Sequence, residues 1–271
     1  MKIFKNKKKL LKEISLIKDI AFVPTMGSIH KGHLSLIKKA KINSKNVVVS
    51  IYVNPKQFNL NSDYKKYPRS INKDIAILKK FKVRYLYLPT YKDLYSFKPK
   101  SSIYLDKFSK KLCGSFKTSH FKGVINVVNR FIEIINPRTI FLGLKDFQQL
   151  ILIKSHINKN KILTKIISCT TIREKNGTAL SSRNNQLNKN ELKITATIYN
   201  YLKDNKSEII SNILKKKHTK IINKILLLGA KKIDYLECIN LQTLKNIKKN
   251  NEKSNIFISY WMGNVRLIDN L

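Results

Sequence analysis

The sequence holds only three cysteines, Cys113, Cys169 and Cys238, far apart and without C-x-x-C or other metal spacing. An odd, sparse count gives no disulfide framework and suits a reducing compartment. No apolar run reaches the ~18–20 residues of a membrane-spanning helix. The N-terminal stretch through Phe22 carries charges between its apolar positions and has neither the apolar core nor the cleavage site of a signal peptide. A cytoplasmic chain with no membrane partner is expected. Acidic residues are also scarce, 16 against 55 basic ones, for a formal net charge of +39. Arginine is scarcer still: Arg69, Arg84, Arg130, Arg138, Arg173, Arg183 and Arg266 are the only seven.

What is present is lysine, together with a 42% hydrophobic content that rules out global disorder over 271 residues. Taken alone, +39 points to nucleic acid or an anionic membrane surface. Nucleic-acid sites favour arginine for bidentate and stacked contacts, so a lysine excess is a weak signature. The lysines are spread along the chain and travel with Asn and Ile, as in 41–46, 156–167 and 245–255. These three residues share A- and T-rich codons, so compositional bias is the simpler source of the charge.

Short β-branched runs alternate with helix-period segments through the first two-thirds. Ile20–Pro24, Val47–Val53, Tyr85–Leu88 and Thr139–Leu142 read as strands. His33–Ala40, Asn72–Phe81 and Gly123–Ile135 read as helices. The expected fold class is α/β: a Rossmann-like parallel sheet with helices on both faces, plus a smaller C-terminal α+β domain. Helices are expected over Glu191–Leu202 and Ser207–Leu228, and strands over Ile233–Cys238 and Ile256–Trp261. The expected domains are 1–172 and 173–271.

Polar residues recur where these strands end. Pro24–His33 (PTMGSIHKGH) lies between a strand and a helix, where helix N-termini favour phosphates. His30 and His33 share one side of the first helical turn and can donate hydrogen bonds to a triphosphate. A metal pair or two solvated histidines are the alternatives. Asn54 and Gln57 follow the second strand, where a plain Asn-Pro turn is the alternative. Gly143, Leu144, Lys145, Asp146 and Gln149 follow another, where a helix start capped by Asp146 would explain the pattern equally well. Leu180–Arg183 (LSSR) offers two hydroxyls and a guanidinium on what reads as a mobile loop, suited to a polyphosphate or to a serine-rich surface turn.

Together these four segments resemble the pantoate–β-alanine ligase (pantothenate synthetase) family, nearly end to end. The resemblance also takes in YPRSINKDIAIL, SHFKGVINVVNRF and the closing NVRLIDN. HxGH alone would indicate only the wider nucleotidyltransferase superfamily. The resemblance implies ATP-dependent condensation of pantoate with β-alanine through a pantoyl adenylate, releasing AMP and pyrophosphate. It implies ATP contacts from Met26, Gly27, Ser28, Ile29, His30, Lys31, Gly32 and His33. Gly143, Leu144, Lys145, Asp146, Ile172, Leu180, Ser181, Ser182 and Arg183 are matched to the same ligand. His33, with His30 and Lys145, carries the catalytic assignment, and His33 matches a proton donor. Gln57 and Gln149 are matched to pantoate, and Gln57 also to β-alanine. Positive charge from His30, His33, Lys145, Arg183 and Mg²⁺ would surround the phosphates, the Mg²⁺ carried by ATP. A homodimer is implied, and a C-terminal domain that closes over ATP.

The chain departs from the family pattern at Leu144, where Glu is usual, at Lys117 and Lys122, where arginine is common, and at Ser119, where glycine is common. Lysine keeps charge but loses the bidentate fork, which predicts lower efficiency rather than loss of function. Two rivals remain at this stage: another adenylyl-transfer enzyme, and a basic nucleic-acid-binding protein. The first lacks a second basic motif for a phosphorylated substrate; the second lacks aromatic and arginine stripes.

Overall fold

Two runs of consecutive apolar residues, Ile20–Thr25 and Asn46–Ile51, form adjacent parallel strands because neither has a polar face to turn to water. They sit in the first of two compact units, Met1–Thr171 and Ile172–Leu271, of a computed structural model that describes every residue except Leu60 and Thr118. In chain order the first unit runs β1 (Lys2–Phe4), α1 (Lys7–Ile14), β2 (Ile20–Thr25), α2 (Lys31–Asn43), β3 (Asn46–Ile51), α3 (Asn61–Lys66) and α4 (Ile71–Lys80). It continues through β4 (Tyr85–Tyr87), α5 (Tyr91–Tyr95), α6 (Cys113–Phe116), α7 (His120–Ile135), β5 (Thr139–Gly143), α8 (Phe147–Lys159) and β6 (Lys165–Cys169).

The six strands are ordered β1-β4-β3-β2-β5-β6, and every neighbouring pair is parallel. Alternate residues of β2 serve opposite faces. Ala21 and Val23 join Ile37 and Ala40 of α2 and Leu78 of α4 in one core. Phe22 turns the other way, its ring centroid 5.4 Å from that of Phe131 on α7. Burying each such side chain contributes about 1.5–3 kcal/mol. Strands β3 and β4 build outward on one side of β2, and β5 and β6 on the other. The order reverses between β2 and β5, the place where open α/β sheets generally bind ligands beyond the strand C-termini.

In the second unit, α9 (Lys189–Asp204), α10 (Lys206–Leu214) and α11 (His218–Leu227) precede the antiparallel sheet β7 (Lys232–Asn240), β8 (Ser254–Met262) and β9 (Val265–Asn270). Asn188 and Glu191 form a reciprocal capping box that starts α9. Ile198, Leu202, Ile209, Ile221 and Ile225 pack with Ile256, Ile258 and Tyr260.

The α/β class and the smaller α+β unit agree with expectation. The strand expected over 47–53 ends at Ile51, and the helix expected from His33 begins at Lys31. Ser207–Leu228 resolves into two helices, α10 and α11. The additional elements include β1, α1, β6 and β9 and the short helices α3, α5 and α6. Helix α1 hides in the lysine-rich N-terminus because only Leu10 and Ile14 are buried. Among the described residues no helix is long and apolar enough to cross a membrane.

Helix α7 comes so near the turn after β3 that a Cβ on Gly123 would lie 2.0 Å from the Lys56 carbonyl oxygen. Gly123→Ala should therefore destabilise the protein by about 1–3 kcal/mol, the range for overpacking. A urea midpoint unchanged from the parent would show that the backbone approach is dispensable.

Candidate active site

Flanked by β3 and β5, the chain leaving β2 has to turn at once. Gly27 (φ +83°) and Ser28 (φ +51°) are both left-handed. Glycine tolerates this freely, whereas Ser28 there costs about 1–2 kcal/mol. A Cβ on Gly27 would also meet Asp74 Oδ2 at 2.9 Å and Ile51 Cγ2 at 3.0 Å. Asp74, on α4 and 1% exposed, offsets the strain. Its Oδ2 accepts the Ser28 N–H at 2.8 Å and its Oδ1 the Ile29 N–H at 2.7 Å. The Gly27 N–H donates to Thr25 Oγ1 at 3.2 Å.

His30 then caps α2. Its Nδ1 accepts the Gly32 N–H at 3.1 Å, while its own N–H donates to His33 Nδ1 at 3.3 Å. The two rings are 4.1 Å apart between centroids. With both Nδ1 atoms accepting, each neutral ring carries its proton on Nε2. Burial, then the Lys145 charge, lowers the His30 pKa to about 4. Burial, then His30, lowers that of His33 to about 3. Both shifts favour the uncharged rings at pH 7. Burial thus opposes the positive charge expected of these two rings, and the loop offers neutral Nε2–H donors. The main-chain N–H groups of Ser28, Ile29, His30 and Gly32 already have internal acceptors. Lys31, first in α2, is exposed.

The neighbouring strand β5 ends at Gly143, followed by a short 3₁₀ turn over Leu144–Asp146. An added Cβ at Gly143 meets nothing within 4 Å, so the space above it is open. Lys145 Nζ lies 3.1 Å from Asp146 Oδ1, and the charges of both reach the two imidazoles. Asp146 stands at the N-cap of α8, yet its side chain makes no capping bond and pairs with Lys145 instead. The capping role weighed for it is not what its carboxylate does.

At the end of β3, Asn54 (1% exposed) donates to the Gly123 carbonyl at 3.0 Å and accepts from the Tyr95 hydroxyl at 3.1 Å. Gln57 donates from Nε2 to Met26 Sδ at 2.6 Å, and its main-chain carbonyl oxygen lies 2.6 Å from His120 Nδ1. On α8 the adjacent amides differ. Gln148 is buried and holds the Cys113 N–H and the Phe108 and Lys111 carbonyls, whereas Gln149 is half-buried. The first unit thus brings together Met26 with Gln57, and His30 and His33 with Lys145 and Asp146. Among the described residues no group of three His, Cys, Asp or Glu side chains could hold a metal ion.

Within the second unit, the Ile172 carbonyl accepts from the Leu180 N–H at 3.0 Å, and Arg173 bridges to Ala179. Ser181 Oγ accepts the Arg183 N–H, opening a 3₁₀ turn over Ser182–Gln186. Arg183 Nη1 donates to the Arg266 carbonyl at 2.9 Å. The expected mobile loop is a hydrogen-bonded turn. Ser182 is buried at 8% exposure, which sets it apart from a solvated serine turn.

Sequence reasoning gave no role to Asp74, Tyr95 or His120. For Asp74 a signal exists: it shares the stripe Ile71, Ile75, Leu78 on α4, where a carboxylate has no business in an ordinary core.

Comparison with known proteins gives one family. Residues 2–271 match the family model described as pantoate-beta-alanine ligase. A pantothenate synthetase of Endomicrobium trichonymphae is 38% identical over 275 residues, covering 100% of this chain and 97% of that protein. The solved pantothenate synthetase of Thermus thermophilus matches with a TM-score of 0.90 at 27% identity, over 100% of this chain and 99% of that one. A pantoate-beta-alanine ligase from Francisella tularensis, solved with beta-gamma ATP and beta-alanine, is 39% identical with a TM-score of 0.83, over 100% and 97% of the two chains. With agreement this complete in sequence and fold, the chain belongs to the pantoate–β-alanine ligase family.

Proposed function

We propose that the chain condenses pantoate with β-alanine at the expense of ATP, in two steps. A pantoate carboxylate oxygen attacks the α-phosphorus; the bond to the bridging oxygen breaks and pyrophosphate leaves. The β-alanine amine then attacks the acyl carbon of pantoyl adenylate, AMP leaves with the electron pair of the broken bond, and the amine loses a proton. Neither step needs an enzyme nucleophile. The observation that carries this reading is the pair of neutral imidazoles beside Lys145 at the β2 and β5 strand ends.

Their Nε2–H groups serve as fixed donors to the phosphates, and the Lys145 ammonium offsets charge that builds on the departing pyrophosphate. Met26–His33, Gly143–Asp146, Ile172 and Leu180–Arg183 form the ATP-binding set. The open space above Gly143 leaves room for a ligand against the backbone. Gln57 and Gln149 bind pantoate, and Gln57 also β-alanine; uncharged amides hold hydroxyls and carboxylates without adding charge beside the attacking groups. The donor set fits a Mg²⁺ brought in on the phosphates, with Asp146 the carboxylate at hand, rather than a metal held by protein alone. Such an ion would neutralise phosphate charge. Domain 173–271 closing over ATP, a cytoplasmic location and a homodimer complete the proposal, and sedimentation at micromolar concentration checks the last.

Purified protein should release AMP only when ATP, pantoate and β-alanine are all present; ADP as product would overturn the adenylate route. His33→Ala should slow adenylate formation by at least ~10²-fold, the scale of a lost transition-state donor. Gln57→Ala should weaken pantoate while leaving ATP affinity unchanged; loss of ATP affinity alone would move Gln57 out of the pantoate pocket.

The imidazoles also set an acid limit. Both folded-state values lie below the ordinary 6.5, so the unfolded chain takes up protons that the folded chain refuses. Stability is unaffected by these groups above about pH 6.5 and falls as the pH drops from there toward about 4 for His30 and about 3 for His33. Urea midpoints should decline over that window, and less steeply in His33→Asn. Ring C–H resonances of His30 and His33 that titrate near pH 6.5 would refute the neutral-donor assignment.

A further inference from the structure

We propose that Asp74 is a positioning residue for ATP activation, whose buried carboxylate grips the Ser28 and Ile29 amides and so sets the two imidazoles that face the phosphates. The inference rests on the assignment of His30 and His33 as phosphate donors. Asp74 lies 46 and 45 residues from its two partners in sequence, so this is a tertiary contact between α4 and the loop after β2. Its carboxylate is 1% exposed and, among the described residues, makes no ion pair. A packing role alone would be served better by an apolar side chain on that stripe, because a buried carboxylate needs compensation.

Each oxygen of the carboxylate has its own task. Oδ2 holds the peptide between left-handed Gly27 and Ser28, and Oδ1 the one between Ser28 and Ile29. The Ile29 side chain is itself 7% exposed in the core with Ile37 and Leu78. One residue later the His30 N–H meets His33 Nδ1, and the His30 ring returns to the Gly32 N–H. Displacing the Ser28–Ile29 peptides therefore displaces His30, and through it the orientation of His33. Asparagine cannot substitute: it keeps one acceptor oxygen and turns an NH₂ group against the other N–H. Glutamate keeps both oxygens but carries them one methylene further, where Gly27 already leaves no slack.

The test separates the two half-reactions in Asp74→Asn and Asp74→Glu. Pantoate-dependent pyrophosphate release from ATP reports adenylation; β-alanine-driven consumption of supplied pantoyl adenylate reports the second step. Asp74→Asn should lower adenylation about 10²-fold, as expected for a misplacement near 1 Å, while the second step stays within about threefold. Asp74→Glu should lower adenylation in the same direction. In ¹⁵N spectra, His33 of either variant should show a mixture of tautomers instead of Nε2–H alone. Adenylation within twofold of the parent in both folded variants would overturn the proposal. So would equal losses in both half-reactions, or absence of a cooperative unfolding transition in both variants, since each marks a purely structural role. His33→Ala measured alongside separates the two claims: normal adenylation there would refute the donor assignment itself, whatever Asp74 does.

Discussion

Strand β2 is hydrogen-bonded on both edges and buried on both faces, and that constraint shapes the site. A strand so enclosed has no edge along which its chain can leave, so the exit has to be made over the top of the sheet within a few residues. Two consecutive left-handed residues accomplish the turn, at a cost that Gly27 avoids and Ser28 does not. The Asp74 carboxylate offsets that cost with two charge-assisted hydrogen bonds, worth about 1.5–3 kcal/mol each. Because β5 lies on the far side of β2, its own exit at Gly143–Asp146 faces the same crevice. Sheet order thus juxtaposes histidines and a lysine that are more than a hundred residues apart in the chain.

Hydrogen-bond accounting then decides the chemistry. A helix N-terminus ordinarily offers its free N–H groups to an anion. Here the loop gives its Ser28, Ile29 and His30 N–H groups, and the helix its Gly32 N–H, to the Asp74 carboxylate and to the two Nδ1 atoms. The outward donors are consequently the Nε2–H groups, polarised by the backbone donors behind them. Neutral rings suit this arrangement. Charged ones would need a buried counter-ion, and Asp146 is already paired with Lys145. The positive end of the helix can thus reach a ligand in part through imidazole, while the Lys145 ammonium supplies full positive charge beside it.

Much of this was legible in the amino-acid order, and what was not has physical reasons. Strands such as β3 announce themselves through a run of buried apolar residues. The amphipathic period of α7 is equally plain. The edge strands β1 and β6 are not, since their outer residues face water and their inner ones are few. Polar residues at strand ends marked Asn54, Gln57 and Lys145 correctly as lining one end of the sheet. Spacing could not distinguish Gln148 from Gln149, because which adjacent amide ties down the segment around Phe108 depends on how α8 is rotated against the fold. Nor could it give the protonation of His30 and His33, which follows from burial created by elements distant in sequence. Asp74 was visible only as an oddity on an apolar stripe; its partners lie on another element.

The +39 is a weak nucleic-acid signal on structural grounds as well. Base readout by arginine needs an array of available guanidinium forks, whereas each of the seven here has at least one partner within the fold. Arg130 is buried with its Nη1 on the Leu94 and Phe97 carbonyls, and Arg183 holds the Arg266 carbonyl. Arg173 pairs with Asp269, Arg266 with Asp234 and Arg138 with Asp19, while Arg84 donates to Asn46 and Arg69 to the carbonyl of Tyr64 at α3. The excess is left to lysines, most of them exposed and screened beyond about 8 Å at physiological salt. A diffuse field of that kind attracts any small anion at low ionic strength and selects none. Selection requires a charge held in place, and the candidate site has one in Lys145, half-buried beside two oriented donors. The proposed site thus depends on one positioned ammonium, not on the abundance of lysine.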